Sequence, residues 1–232
     1  MNRQAQAVVL LLVGGAILRA SVTDLYLRYV KAGLQPFLIA SGILLVAAAV
    51  ATLWYELRSK HDDHEHSHRE PAVAWLLVLP VFALLLVAPP ALGSYAANRS
   101  GTALQETSDF PPLPAGDPVK VGLVDYATRA VYDEGKSLDK RRVQLTGFVL
   151  IGHDGAPYLA RMTLSCCAAD ARPVKIGLDG QVPTGLAADS WLEVVGKYTT
   201  RSTKDDVNDG VIPYIEIEEA RRIDAPTNQY EG

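Results

Sequence analysis

The chain has 232 residues, and its 22 Lys and Arg against 26 Asp and Glu give a net formal charge of −4. This slightly acidic balance argues against a broad basic surface for nucleic acid. The length would suit one or two soluble domains, but the apolar residues are concentrated in the amino-terminal part of the chain.

Three apolar segments in that part predict membrane-spanning helices. The first runs from residue 4 to about residue 25, and two uncharged segments follow at 32–55 and 71–98. Each uncharged segment exceeds the ~20 residues that a helix needs to cross the hydrocarbon core of a bilayer. A cleaved signal peptide is the alternative interpretation of the first segment, but no convincing cleavage site follows it. We therefore predict a three-span helical domain at residues 1–97 of a multi-pass plasma-membrane protein.

Basic residues near the ends of the spans predict the orientation. Those on one side of the membrane outnumber those on the other: Arg3, Arg58, Lys60 and Arg69 against Arg28 and Lys31. Because Lys and Arg favour the cytoplasmic side, this bias places the amino terminus inside and the carboxy-terminal domain outside.

The loop at residues 58–70 is acidic and holds four of the five histidines, His61, His64, His66 and His68. Neutral imidazoles and carboxylates are ligands for divalent transition metals. The loop therefore predicts metal handling, with modest affinity, at the inner face of the membrane. A solvated and flexible connector is the alternative interpretation.

The rest of the chain predicts an all-β domain at 119–224, preceded by a Pro- and Gly-rich extended linker at 98–118 and followed by a tail at 225–232. Strand-like segments occupy 142–150, 158–164, 174–178, 191–198 and 212–217, after a short amphipathic helix at 124–132. Gly147 and Gly196 lie inside strands, as at the sharp bends of a small barrel. We predict a five-stranded OB-like barrel, a name that denotes the fold and not a ligand.

The only two cysteines, Cys166 and Cys167, are adjacent and follow a predicted strand. Four interpretations are open for them. The first is a strained disulfide between the neighbours, and the second is a pair of buried free thiols. The third is ligation of a soft or borderline metal, and the fourth is redox exchange.

Two further residues strengthen the metal hypothesis. Asp170 is close in sequence to the cysteines, and His153 lies in the preceding hairpin turn. Together with Cys166 and Cys167 they would supply four ligands, the number in a tetrahedral zinc site.

Signatures of enzymes are missing from the chain. Gly135-Lys136-Ser137 resembles the end of a phosphate-binding loop, but Ala130 stands where that motif needs its first glycine. There is no Gly-x-Ser-x-Gly elbow and no haem-attachment motif. We predict that the protein is not an enzyme.

Several segments carry a resemblance to a known family. They are Tyr26–Val30, the His-rich loop, residues 88–93 at the exit of the third span and, most specifically, Cys166–Ala171 with the later Trp191–Gly196. In these segments the chain resembles the YcgQ family, in the layout of its actinobacterial members. The resemblance implies a subunit of a two-component permease, with a YcgR-type multi-span permease as partner. It also implies a role in zinc-related transport.

The sequence thus predicts an accessory subunit of a membrane permease, involved in the transport or homeostasis of zinc or another transition metal. Its partners would be the permease and the lipid bilayer, and not nucleic acid. A non-metal assembly module that docks partner proteins through its barrel is the alternative hypothesis. Thiol redox or chaperone chemistry outside the cell is a third.

Overall fold

The structure is a computed structural model that describes residues 3–59, 89–138 and 140–231. The chain divides into two compact units, Met1–Pro90 and Ala91–Gly232. The described part of the first unit is helical, and the second unit is built mainly of strands.

Two α-helices dominate the described part of the amino-terminal unit. Helix α1 spans Arg3–Val22 and helix α2 spans Gln35–Ser59. Two short 3-10 turns, Asp24–Arg28 and Ala32–Leu34, connect them. Pro36 lies in the first turn of α2, where its missing N–H removes no intrahelical hydrogen bond. The first two predicted spans are therefore helical over nearly their expected ranges.

Helices α1 and α2 approach each other closely at two glycines. A Cβ atom at Gly14 would lie 3.0 Å from Leu45 Cβ, and one at Gly42 would lie 2.8 Å from Leu18 Cγ. A Cβ atom at Gly15 would meet nothing within 4 Å. Because small residues let helix backbones pack closely in lipid, Gly14 and Gly42 set the separation of the two helices.

Of the described helical stretches, one is long and apolar enough to cross a membrane, the 27 residues Ala32–Arg58. The other apolar stretch, Gln6–Val22, is shorter because the polar Thr23 and Asp24 follow it directly. The predicted third span covers residues 71–98, and its part up to residue 88 lies outside the described residues. In place of three clear spans, the structure thus gives one long and one shorter apolar helix.

The carboxy-terminal unit contains a closed barrel. Its strands are β1 (Val119–Lys120), β2 (Val143–Ile151), β3 (Pro157–Thr163), β4 (Arg172–Gly180), β5 (Trp191–Lys204), β6 (Val211–Ile223) and β7 (Tyr230–Glu231). The sheet order is β1-β2-β5-β6-β4-β3-β7, and a further β2–β3 pairing closes the five long strands on themselves. Among these five, β4 and β6 are the parallel neighbours and the other pairs are antiparallel. The predicted five-stranded barrel is confirmed.

Two strand glycines lie where backbones come close. A Cβ atom at Gly196 would lie 2.3 Å from the Glu216 carbonyl oxygen, and one at Gly147 would lie 2.8 Å from the Ala160 carbonyl oxygen. The β5–β6 register also shifts at Gly196. Only glycine fits such a bend without moving the neighbouring strand.

The predicted linker packs along the barrel instead of forming a free spacer. Helix α3 (Ser94–Arg99) leads into it, and the Ser94 amide and hydroxyl donate to the Asp189 carboxylate at 2.6 and 2.7 Å. Further along, the Thr102 amide donates to Asp205 Oδ2 at 2.9 Å. We call residues 91–118 the pre-barrel segment. Its prolines exclude long helices, as predicted, but long-range hydrogen bonds fix its course.

Helix α4 (Leu123–Tyr132) covers part of the barrel core, close to the predicted range 124–132. Its side chains Leu123, Tyr126 and Ala127 are fully buried. The Tyr126 hydroxyl donates to the Tyr214 carbonyl at 2.8 Å. Burial of apolar side chains from one face of the helix is what holds it against the strands.

The prediction of a tail at 225–232 is wrong for residues 230 and 231. Tyr230 and Glu231 form β7, which pairs in parallel with β3. The Glu231 carboxylate accepts hydrogen bonds from the amides of Leu123 and Val124 at 3.0 and 2.9 Å, and so caps α4. A strand of two residues is too short to show a period of two in the sequence.

Candidate metal centre

The two cysteines lie in the connection between β3 and β4, residues 164–171. At its base, the Thr163 hydroxyl donates to the Arg172 carbonyl at 3.0 Å. Its last part is a 3-10 turn, Ala168–Asp170, where the Asp170 amide donates to the Cys167 carbonyl at 3.0 Å. The barrel strands and these bonds fix the backbone of the connection.

The Asp170 side chain holds the first part of the connection against the last. Its Oδ1 accepts from the Ser165 amide at 3.0 Å, and its Oδ2 accepts from the Cys166 amide at 2.8 Å. The Cys166 thiol also donates to this carboxylate, and an ion that displaces the thiol proton leaves that lone pair available. Asp170 can therefore orient the cysteines and still offer an oxygen to an ion.

Three potential ligand atoms meet at this point. The two sulfur atoms of Cys166 and Cys167 and a carboxylate oxygen of Asp170 all lie within 4.8 Å of one another. Within the described ranges, no other group of three His, Cys, Asp or Glu residues converges in this way. Adjacent side chains face opposite sides in a strand, so this convergence depends on the irregular backbone after β3.

The state and the exposure of the cysteines argue against two of the four interpretations, the buried thiols and the disulfide. Both thiols are free, Cys166 is exposed and Cys167 is half-buried. The interpretation as buried packing residues is therefore wrong, since a thiol at the surface fills no core volume. The structure also contains no disulfide between the neighbours, as the strain of such a ring would suggest.

The thiol and the carboxylate change each other's pKa. The hydrogen bond to Asp170, and after it the neighbouring Cys167, raises the pKa of Cys166 to about 11. The same bond, with the backbone amides, lowers the pKa of Asp170 to about 2. At neutral pH the carboxylate is ionised and the Cys166 thiol is protonated, so a metal ion that binds displaces a proton.

His153 does not join this group, which corrects the predicted set of four ligands. It lies in the turn before β3, whereas the cysteines follow the other end of that seven-residue strand. A strand rises about 3.3 Å per residue, so roughly 20 Å separates the two places. His153 instead lines a small cavity with Lys175 and Asp205. A hairpin turn and the next turn along the chain lie at opposite ends of the strand between them.

The predicted ligands of the inner loop, His61, His64, His66 and His68, lie outside the described residues. Their metal binding stays a prediction.

Sequence reasoning missed the residues that support the centre. The amides of Ser165 and Cys166 hold Asp170, and the Leu164 amide donates to the Glu231 carbonyl at 3.2 Å. All three contacts involve backbone groups and the third joins residues far apart in the chain, so no side-chain pattern signals them. The aspartate four residues after Cys166 was the one available signal.

Two thiolates and a carboxylate form a donor set for borderline metal ions. Zinc accepts sulfur, nitrogen and oxygen donors, whereas calcium and magnesium prefer oxygen alone. The cluster of Cys166, Cys167 and Asp170 can therefore hold a transition-metal ion.

Comparison with known proteins agrees with a domain built around this barrel. Residues 125–231 match the family model described as the DUF1980 C-terminal domain. No curated protein and no solved structure matches the chain. The matched range covers α4 from residue 125 onward, all five long strands and the cysteine pair, and the match is compatible with a YcgQ-like protein.

Proposed function

We propose that the protein is an accessory subunit of a membrane permease and that its barrel domain binds zinc or another transition-metal ion. The observation that carries this proposal is the convergence of Cys166, Cys167 and Asp170 within 4.8 Å. Hydrogen bonds from the Ser165 and Cys166 amides to Asp170 fix the connection that bears these residues, so binding requires little ordering of the chain.

The helices support attachment to a membrane. Large apolar side chains on α2 are exposed, with Phe37 at 72% and Leu44 at 67%. Soluble proteins rarely leave such an apolar helix uncovered. We propose that lipid and the helices of a partner cover it.

The need for a partner follows from the small number of helices. Helices α1 and α2 contact each other directly at Gly14 and Gly42, which leaves no passage between them. Even three spans would be too few to enclose a transport pathway. A multi-span permease would supply the pathway, in line with the family that the sequence resembles.

We further propose that the barrel domain lies outside the cell and the His-rich loop inside, as the distribution of Lys and Arg predicts. The two sets of metal ligands would then lie on opposite sides of the membrane.

The barrel is proposed to be OB-like, on the basis of its strand order and its parallel β4–β6 pair. OB barrels bind ligands on the face of their second and third strands, beside two of the loops. Here the pre-barrel segment occupies the equivalent place: Asn98 donates to the Ile151 carbonyl at 3.1 Å, and the Lys175 amide donates to the Thr102 hydroxyl at 3.2 Å. This supports a ligand site elsewhere, at the β3–β4 connection.

Zinc stoichiometry tests the metal centre. His61, His64, His66 and His68 are first replaced by Ala to remove the imidazole ligands of the loop. The full-length protein is then purified in detergent and dialysed against zinc, and the zinc bound per chain is measured. We expect one zinc per chain, lost in the Cys166→Ser/Cys167→Ser variant. Ser165→Ala, which keeps the amide that binds Asp170, is the matched control and should bind as before.

Co-purification tests the partner. We expect a tagged full-length chain to bring down a multi-span transporter from its own membranes after chemical cross-linking. Retention of that partner together with absence of zinc binding would favour the assembly-module hypothesis instead.

A further inference from the structure

Among the residues that the structure describes, the candidate centre brings together three potential protein ligands. Structural zinc sites are closed by four protein ligands, whereas sites that exchange a ligand keep one position open. Among the described residues, no fourth His, Cys, Asp or Glu joins Cys166, Cys167 and Asp170. The chain thus leaves one position of a tetrahedral ion unfilled by its own described residues.

The cluster lies at the protein surface. Cys166 is exposed and Cys167 half-buried, so a donor from outside can approach the ion. The backbone amides of Ser165 and Cys166 hold the Asp170 carboxylate in place. The three donors are therefore fixed by the backbone and accessible from solvent.

The charge of the centre favours a neutral donor. Two thiolates and one carboxylate bring three negative charges to a doubly charged ion, which leaves one net negative charge. A further thiolate or carboxylate would add a second negative charge, and like charges in one site repel. Neutral imidazole adds none and is a common ligand of zinc.

We propose that this centre, if it binds metal as proposed above, is a transfer site whose fourth ligand is an exchangeable imidazole from outside the domain. The step is a ligand substitution. The metal–nitrogen bond forms, the bond to a bound water breaks, the water leaves to solvent, and no electron is transferred. Such a site can receive or release its ion without unfolding the domain, because one position is always replaceable.

Cobalt is a suitable probe, since thiolate ligation to Co²⁺ gives charge-transfer absorption that histidine ligation does not. The full-length protein in detergent, with His61, His64, His66 and His68 replaced by Ala, is loaded with Co²⁺ and titrated with imidazole. We expect a saturable shift of the ligand-field bands with one imidazole per cobalt, and charge-transfer absorption that stays unchanged.

Three results would overturn the inference while leaving the metal site intact. Ligand-field bands that ignore imidazole would mean a closed site. Loss of the charge-transfer absorption would mean that imidazole removes the ion. One cobalt per two chains, with four thiolates, would mean that two copies close the site. If no charge-transfer absorption forms at all, the proposed metal centre itself is wrong.

The source of the imidazole is tested separately. The chain with its histidines intact is compared with the His-to-Ala variant before any imidazole is added. Identical ligand-field bands would show that the four loop histidines do not supply the donor, and shifted bands would show that they do. The Cys166→Ser/Cys167→Ser variant is the blank for both measurements.

Discussion

Thr102 and Asp205, which are 103 positions apart, are joined by a hydrogen bond of 2.9 Å from the Thr102 amide to Asp205 Oδ2. The same carboxylate oxygen lies 2.8 Å from Lys175 Nζ, and both side chains are almost fully buried. The Asn208 side chain also donates to the Thr102 carbonyl at 3.0 Å. One buried carboxylate therefore ties the pre-barrel segment to β4 and to the turn between β5 and β6.

Asp205→Ala should destabilise the barrel domain strongly. It leaves Lys175 as an unpaired buried charge, and removing one partner of such a pair costs about 3–5 kcal/mol. Chemical denaturation of the full-length protein in detergent, followed by the intrinsic fluorescence of the barrel, measures the free energy of unfolding. Asp206→Ala, at the exposed neighbouring position, is the control and should stay within about 0.5 kcal/mol. Equal effects of the two variants would contradict the role of the pair.

Because of the same carboxylate, the free energy of unfolding depends on pH in the acidic range. Burial acts to raise the pKa of Asp205, but hydrogen bonds from Lys175, Val207 and Thr102 outweigh it and keep the pKa below its ordinary value. A lowered pKa stabilises the fold above the unfolded value of about 3.9, and this contribution is lost as the pH falls through the folded pKa. The difference in unfolding free energy between wild type and Asp205→Ala should therefore shrink below about pH 4. A constant difference between pH 7 and pH 3 would contradict the prediction.

Glu231→Ala should weaken the attachment of α4. The carboxylate caps the amides of Leu123 and Val124, and loss of a cap costs roughly 0.5–2 kcal/mol. It also lies 3.4 Å from Arg161 Nε, which would lose its ion pair. Thermal unfolding followed by circular dichroism measures the loss. Glu216→Ala, an exposed glutamate on β6, should leave the melting temperature nearly unchanged.

Gly14→Leu should disturb the packing of α1 on α2. Even a Cβ atom there would lie 3.0 Å from Leu45, and overpacking of this kind typically costs about 1–3 kcal/mol. The control is Gly15→Leu, where a Cβ atom would meet nothing within 4 Å. Thermal aggregation of the detergent-solubilised protein compares the two. A larger effect at Gly15 than at Gly14 would show that the glycine contact is not the one described.

Asp170→Ala should make Cys166 more reactive at neutral pH. Asp170 is the main cause that raises the pKa of Cys166 to about 11, so its removal should bring the pKa back towards the ordinary 8.5–9. The thiolate fraction near pH 7.5 would then rise roughly tenfold or more. Alkylation by iodoacetamide as a function of pH, in a Cys167→Ser background, measures this. An unchanged pH profile would rule out the hydrogen bond between the thiol and the carboxylate.

Particular residues show how far the sequence could predict the site. Cys166, Cys167 and Asp170 are within five positions of each other, so a single turn can bring them together and the sequence could indicate it. His153 is also near in sequence, but the rigid strand between it and the cysteines keeps the two turns apart. Proximity along the chain becomes proximity in space only when no extended strand intervenes.

The sequence by itself determined the apolar helices and the five long strands, because hydrophobic periodicity and uncharged length are local properties of the chain. Only the tertiary structure decided that the pre-barrel segment packs on the barrel, that residues 230–231 form a strand and that three ligands converge, not four. Those features depend on hydrogen bonds between residues such as Thr102 and Asp205, or Glu231 and Leu123. Such bonds leave no periodic trace in the sequence, since closing the barrel is what brings their partners together.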